Sequence, residues 1–359
     1  MMAHLRKRKR NRRYLFSGII GVSLLWCVAI AVAFSYYFKM PSEIWEDLLP
    51  IPTGDKVNIV IESGMNARQA ARAFEFGGAL ENGSPADLAR WMIKFGIDKR
   101  ILAGQYSVVP SSPWNLARQL KTQRPALLKA MIVPGLDIFS LKDSLAGQDF
   151  NPEKMDAAIM NDNNYPEGLR KFFGRLPSSK YMRIVFLQPE TYMLVERSSD
   201  ELVSTASNAW WSRWNKIIQA GNLTSKDVTE AAIVASMVER EVMHESEARK
   251  VSGVIHNRLR SNMLLQIDAT VVYAWRLKGR KLTRVLKKDL EINSPYNTYK
   301  IPGLPPEPIC LPSAAAWGAA LSPEYNEYYY YVAGKDGYHY FAKTYPEHLQ
   351  NIRQVRASK

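Results

Sequence analysis

Two carboxylates, Glu239 and Glu241, close a segment that is otherwise small and apolar: Thr224 to Met243, TSKDVTEAAIVASMVEREVM. Thr224 or Ser225 is suited to cap a helix here, and Asp227 and Glu230 suit its positive end. Val228, Ala231, Ala232, Ile233, Val234, Ala235, Met237 and Val238 go all the way round, so this helix is predicted to be buried. Glu241 follows Val238 by three residues and Met237 by four, which sets it over an apolar patch. Desolvation there favours the neutral acid and raises its pKa. The negative end of the helix dipole pushes the same way. A carboxyl that keeps its proton near neutrality is what a general acid on a glycosidic oxygen requires. The plainer alternative is a pair of surface glutamates at a helix end, stabilised by Arg240 and Arg249.

The segments that must position such an acid follow in order. Residues 251–260, VSGVIHNRLR, form an amphipathic helix with Val251, Val254, Ile255 and Leu259 on one side. LLQIDAT (264–270) and SPYNTYKIPGLPPEP (294–308) come next, then a Tyr-rich hairpin, YYYYVAGKDGYHYFAKT (328–344), turning at Lys335–Gly337. The ordered set VEREV, HNRLR, LQIDAT, SPYNTY, GLPP and YHYFAKT resembles the C-terminal signature of the endolytic murein (lytic) transglycosylases, the MltG/YceG-like family. Upstream, ILAGQY (101–106) and QPETY (188–192) match weaker family features.

The resemblance implies an α+β protein: a single N-terminal transmembrane helix, a small LysM-like α+β module, then a mixed α+β catalytic domain. It implies a lyase that cuts the glycan strands of peptidoglycan and leaves 1,6-anhydro ends, with Glu241 as the one catalytic residue. Tyr296, Asn297 and Tyr299 would line the cleft. Gln266 and Asp268 would touch sugar or hold the cleft, and Glu239 is counted among the substrate contacts. Cell-wall synthases are the implied protein partners. A membrane-anchored glycan-binding scaffold without cutting activity is the alternative from a different class. The chain departs from the family pattern at Pro134, Ile184–Val185, Ala269, Glu307 and Leu311–Pro312–Ser313.

The rest of the chain narrows the setting. A formal charge of +14 would suggest nucleic acid. Seven of the basic residues, however, are Arg6, Lys7, Arg8, Lys9, Arg10, Arg12 and Arg13, directly before the apolar run Leu15–Phe38. That run is long enough to span a bilayer. Basic residues before it favour a cytoplasmic N-terminus, with the remainder periplasmic at the inner membrane. A cleaved signal peptide and a buried core helix are the rivals. Cys27 and Cys310 are separated by that topology, so no disulfide is expected, and five scattered histidines give no metal-ligand spacing. No cofactor is indicated.

The expected organisation is therefore a tail (1–14), a membrane helix (15–38), a linker (39–55), the module (56–135) and the catalytic domain (136–359). Within the module, strands are predicted at Val57–Glu62, Ala103–Val109 and Leu127–Val133. Helices are predicted at Ala67–Phe76, Pro85–Phe95 and Trp114–Leu120. A further helix from Asp200 to about Ala220 carries Trp210, Trp211 and Trp214, either as core or as a platform for sugar rings.

Overall fold

The computed structural model describes residues 26–30, 50–62 and 64–357. The chain divides into two compact units at Pro125/Ala126. Among the described residues no helix is long and apolar enough to cross a membrane. The expected membrane segment lies outside the described residues except for 26–30, which are helical and exposed.

The first unit runs strand–helix–helix–strand–helix. Strand β1 (Val57–Ile61) pairs antiparallel with β2 (Gly104–Val108), with Val57 opposite Val108 and Ile61 opposite Gly104. Alternation in β1 turns Ile59 and Ile61 inward and leaves Val60 exposed. Between the strands lie α1 (Ala67–Phe76) and α2 (Pro85–Lys94), and after them α3 (Pro113–Thr122). Asn66 with Gln69 and Ser84 with Asp87 form reciprocal capping boxes, which fix where α1 and α2 begin. Phe74, Leu88, Met92, Tyr106, Val108 and Leu116 fill the core.

The second unit opens with β3 (Leu128–Met131), whose partner is β4 (Thr191–Leu194). From the sequence, Leu127–Val133 is expected to belong to the first module. Its hydrogen-bond ladder instead pairs it some sixty residues downstream, with Ala130 opposite Tyr192. Helices α4 (Ile138–Ala146), α5 (Pro152–Met160), α6 (Glu167–Phe173) and α7 (Lys180–Arg183) fill the space between those strands in sequence.

Helix α8 (Ser199–Ala220) decides the question of its tryptophans. Trp210 and Trp214 are buried in the core, Trp210 edge-on to Trp317 at 5.1 Å and to Phe186 at 4.8 Å. Trp211 lies against Phe172 and over Gly168, where an added Cβ would come within 2.4 Å of the indole nitrogen. The cluster is packing, not a sugar platform.

Helix α9 (Ser225–Glu241) runs through this core, buried from Ala232 to Val238. It packs against α10 (Ala248–Arg260), α11 (Asp268–Leu277) and α12 (Ala314–Leu321). Thr224 caps it: its hydroxyl accepts from Asp227 N–H at 3.2 Å, and the Asp227 carboxylate accepts from Thr224 N–H at 2.8 Å. Replacing Thr224 by Ala is expected to cost about 1 kcal/mol in chemical denaturation. The unit ends with the hairpin β5 (Tyr330–Ala333) and β6 (His339–Ala342), followed by α13 (Tyr345–Ala357).

Candidate active site

Glu241 is the last residue of α9, where the helix leaves the core. It is partly buried, and its Oε2 accepts a hydrogen bond from the Tyr331 hydroxyl at 2.9 Å. No described residue bonds Oε1. Burial pushes the Glu241 carboxyl above its ordinary value, and the negative charge of Asp268 adds to this. The Tyr331 hydrogen bond and the His339 and Arg258 side chains oppose the shift without cancelling it. The result is a carboxyl that holds its proton to higher pH than a surface glutamate, with one oxygen left to work.

Three distant segments make this environment. Tyr331 lies on β5 and is partly buried, and desolvation together with the neighbouring Glu241 pushes its phenol well above the usual value. Behind it the His339 ring on β6 sits edge-on at 5.1 Å, with Nδ1 2.8 Å from Glu247 Oε2. Glu247 also accepts from the His339 backbone N–H, so it clamps the hairpin to the segment before α10. Arg258 on α10 donates to the carbonyls of Leu265 and Tyr329, both at 2.6 Å. One guanidinium therefore fixes both the LQIDAT turn and the hairpin relative to α10. Asn257 beside it donates to the Tyr328 carbonyl at 2.8 Å.

Asp268 is exposed at the first turn of α11 and accepts from the Tyr299 hydroxyl at 2.5 Å. Burial and the adjoining Asp268 push the Tyr299 phenol up. These two, with Glu241 and Tyr331, form one polar cluster. Gln266 is exposed and stands with φ at +54°, its N–H donating to the Thr298 carbonyl. It borders the cluster through the chain rather than through a side-chain contact.

Three expected sugar contacts are placed elsewhere. Asn297 is completely buried: its amide donates to the carbonyls of Leu290 and Ile292, both at 2.8 Å, and its oxygen accepts from Tyr299 N–H. With no exposed atom it cannot meet substrate, and it shapes the SPYNTY loop instead. Tyr296 is buried edge-on to Tyr273, with its hydroxyl on Glu307 at 3.2 Å. Glu239 points away from Glu241 because two residues on a helix turn by about 200°. Its Oε2 accepts from the Ser313 N–H that opens α12.

Tyr331, His339, Glu247 and Arg258 are not identifiable as site residues from the sequence. The signal lay in the HNRLR and YHYFAKT segments, but nothing local says that their side chains converge on residue 241. Cys310 is buried with its thiol on the Ser236 carbonyl, unpaired with any cysteine. Among the described residues no group of His, Cys, Asp and Glu could hold a metal ion.

The second unit is a mixed α+β body that holds one carboxyl with a raised pKa, Glu241, between a helix end and a hairpin, an arrangement suited to general-acid chemistry. The chain belongs to the YceG-like family, whose model matches residues 59–354. Among curated relatives it is 31% identical over 239 residues to the endolytic murein transglycosylase of Bacillus subtilis (strain 168), covering 64% of this chain and 65% of that protein. It is 26% identical over 368 aligned positions to the protein of the same description from Streptococcus pneumoniae serotype 2, covering 94% of this chain and 65% of that one. The chain thus spans 65% of the length of these relatives. A crystal structure of a yceG-like protein from Listeria monocytogenes superposes with a TM-score of 0.52 at 24% identity, over 83% of this chain and 99% of that one, which attests the fold.

Proposed function

We propose that this chain is a membrane-anchored lytic transglycosylase that cuts the MurNAc–GlcNAc bond of peptidoglycan strands and leaves 1,6-anhydro-MurNAc ends. The observation that carries the proposal is Glu241: a carboxyl whose pKa is raised by burial, with Oε2 anchored on Tyr331 and Oε1 unbonded. Two relatives described as endolytic murein transglycosylases support the substrate and the reaction.

In the first step Glu241 gives its proton to the leaving O4 of the GlcNAc unit as the C1–O4 bond breaks. In the second, the C6 hydroxyl of MurNAc closes on C1 and returns its proton to Glu241. The nucleophile is carried by the substrate, so one acid/base suffices where most glycosidases need two carboxylates. Asp268, exposed beside Glu241, supplies negative charge against the positive charge that develops at C1.

The first unit's strand–helix–helix–strand order supports its reading as a LysM-like glycan-binding module. The run 15–38 supports an inner-membrane anchor, with a cytoplasmic N-terminus and a periplasmic catalytic unit. An anchor close to the site of strand synthesis suits cutting within nascent strands, beside the synthases that make them.

A second carboxylate near the acid raises one competing reaction, hydrolysis, with Asp268 activating water. Products separate the two. The full chain in detergent micelles is incubated with purified peptidoglycan in 18O-labelled water and the fragments are weighed. Anhydro ends without label are expected; labelled reducing ends would make the protein a hydrolase, and no fragments at all would make it a non-cutting tether.

The same site sets a pH prediction. The basic limb of kcat/KM reports loss of the Glu241 proton. Tyr331→Phe removes a hydrogen bond that favours the carboxylate, so that limb moves to higher pH. Asp268→Asn removes a charge that favours the acid, so the limb moves to lower pH. Shifts of the same sign in both variants would show that Glu241 does not govern the profile.

A further inference from the structure

Arg240 and Ala269 adjoin Glu241 and Asp268 in sequence and line a cavity of about 230 Å³ in the second unit. Its floor is apolar, with Leu136, Val272 and Ile309, and its charged lining is Asp137, Arg240, Arg276 and Lys281. Asp137 is already committed. It caps α4 by accepting from Ser140 N–H at 2.7 Å, and it stands 3.7 Å from Arg276, which also faces Asp143 at 3.9 Å. Arg240 donates to the Gly135 carbonyl at 3.3 Å, and neither Arg240 nor Lys281 pairs with an acid among the described residues. The cavity thus presents two cations without counter-charge above an apolar floor.

We infer that this cavity is a subsite for the peptide stem of the glycan strand, holding a stem carboxylate on Arg240 and Lys281. The inference rests on the peptidoglycan reading above and extends it to the non-sugar part of the substrate. Guanidinium and ammonium groups select an anion. The apolar floor then selects between anions: an aliphatic peptide side chain can cover Leu136, Val272 and Ile309, and a bare phosphate cannot. The cavity begins one residue from the acid on α9 and one residue from Asp268 on α11. Consecutive Cα atoms stand about 3.8 Å apart and an extended four-residue stem spans about 13 Å, so a stem on the sugar held at Glu241 is long enough to pass from that residue to the lining residues next to it in the chain. Engagement of the stem would orient the MurNAc ring, so that binding energy away from the reacting bond aids cleavage.

The test is a binding measurement that needs no turnover. The full chain in detergent micelles is titrated with a free stem tetrapeptide, with the same peptide fully amidated at its carboxyls, and with inorganic pyrophosphate. The tetrapeptide is expected to bind, and its amidated form about tenfold more weakly. Lys281→Gln is expected to raise Kd for the tetrapeptide several-fold and Arg240→Gln with Lys281→Gln about tenfold or more, since each removes a charge-assisted contact. Lys281 is exposed and makes no contact the fold needs, so its variant is a safe readout. No tetrapeptide binding, equal binding of the amidated peptide, or an unchanged Kd in both variants overturns the inference. So does pyrophosphate binding as tightly as the tetrapeptide, which would make the cavity a general anion site. Because cleavage is not measured, failure here leaves the transglycosylase reading standing, and absence of anhydro ends beside intact peptide binding sinks that reading alone.

Discussion

Glu241→Gln is expected to lower the yield of anhydro ends by about a thousandfold or more while leaving the protein folded. General acid–base groups contribute roughly 10²- to 10⁴-fold, and in the proposed reaction one carboxyl serves both proton transfers. Glutamine keeps the shape and can still accept the Tyr331 hydrogen bond, so the packing around the end of α9 survives. Stability should move the other way from activity. The folded-state pKa of Glu241 is raised, so the fold prefers the protonated acid. Its stabilising contribution is complete below the unfolded-state value and is lost as pH rises through the higher folded-state value. Above that range the wild type keeps a partly buried charge that the Gln variant lacks. Thermal unfolding at alkaline pH should therefore find Glu241→Gln at least as stable as wild type. Glu239→Gln is the matched control. Its partner is the Ser313 N–H, and a Gln oxygen can still accept that bond, so most turnover should remain. Equal loss of activity in both variants would remove the distinction on which the catalytic assignment stands.

Asn297→Ala should unfold the second unit much more easily, by about 2–4 kcal/mol in urea titration. Three backbone groups, the buried carbonyl of Ile292 and the part-buried carbonyl of Leu290 and N–H of Tyr299, lose their partner at once. Each unsatisfied buried polar group costs about 1–3 kcal/mol before any relaxation. Asn297→Asp should be as damaging, because it keeps the acceptor but turns two donors into a buried charge. Activity would fall with the folded fraction, and at permissive temperature the remaining folded protein should keep a near-normal KM. A variant that unfolds like wild type but shows a raised KM would return Asn297 to the cleft.

The two predictions concern neighbouring motifs that look alike in sequence. SPYNTY and VEREV are both short polar strings beside apolar runs, yet Asn297 of the first holds its own loop while Glu241 of the second carries the raised pKa. Residue type could not separate them. An asparagine that bonds sugar and one that bonds its own loop present the same donors and acceptors. Burial decides, and burial depends on what lies above the loop.

Much of the secondary structure was readable locally because its causes are local. Capping at Ser84 and Thr224, the all-round apolar pattern of α9 and the Gly turn of the final hairpin act within a few residues, and those helices and the hairpin stand where these signals put them. Glu241 was legible for the same reason: three- and four-residue spacings on one helix already placed it over Met237 and Val238. Long-range pairing had no such signal. The partner of β3, the convergence of Tyr331, His339, Arg258 and Asp268 on one carboxyl, and the packing of Trp210 on Phe186 and Trp317 each join segments many residues apart. The sequence by itself determined an acid at the end of a buried helix. Only the tertiary structure decided which side chains tune that acid and which merely hold its surroundings, because desolvation and hydrogen-bond satisfaction are properties of a packed interior rather than of a chain.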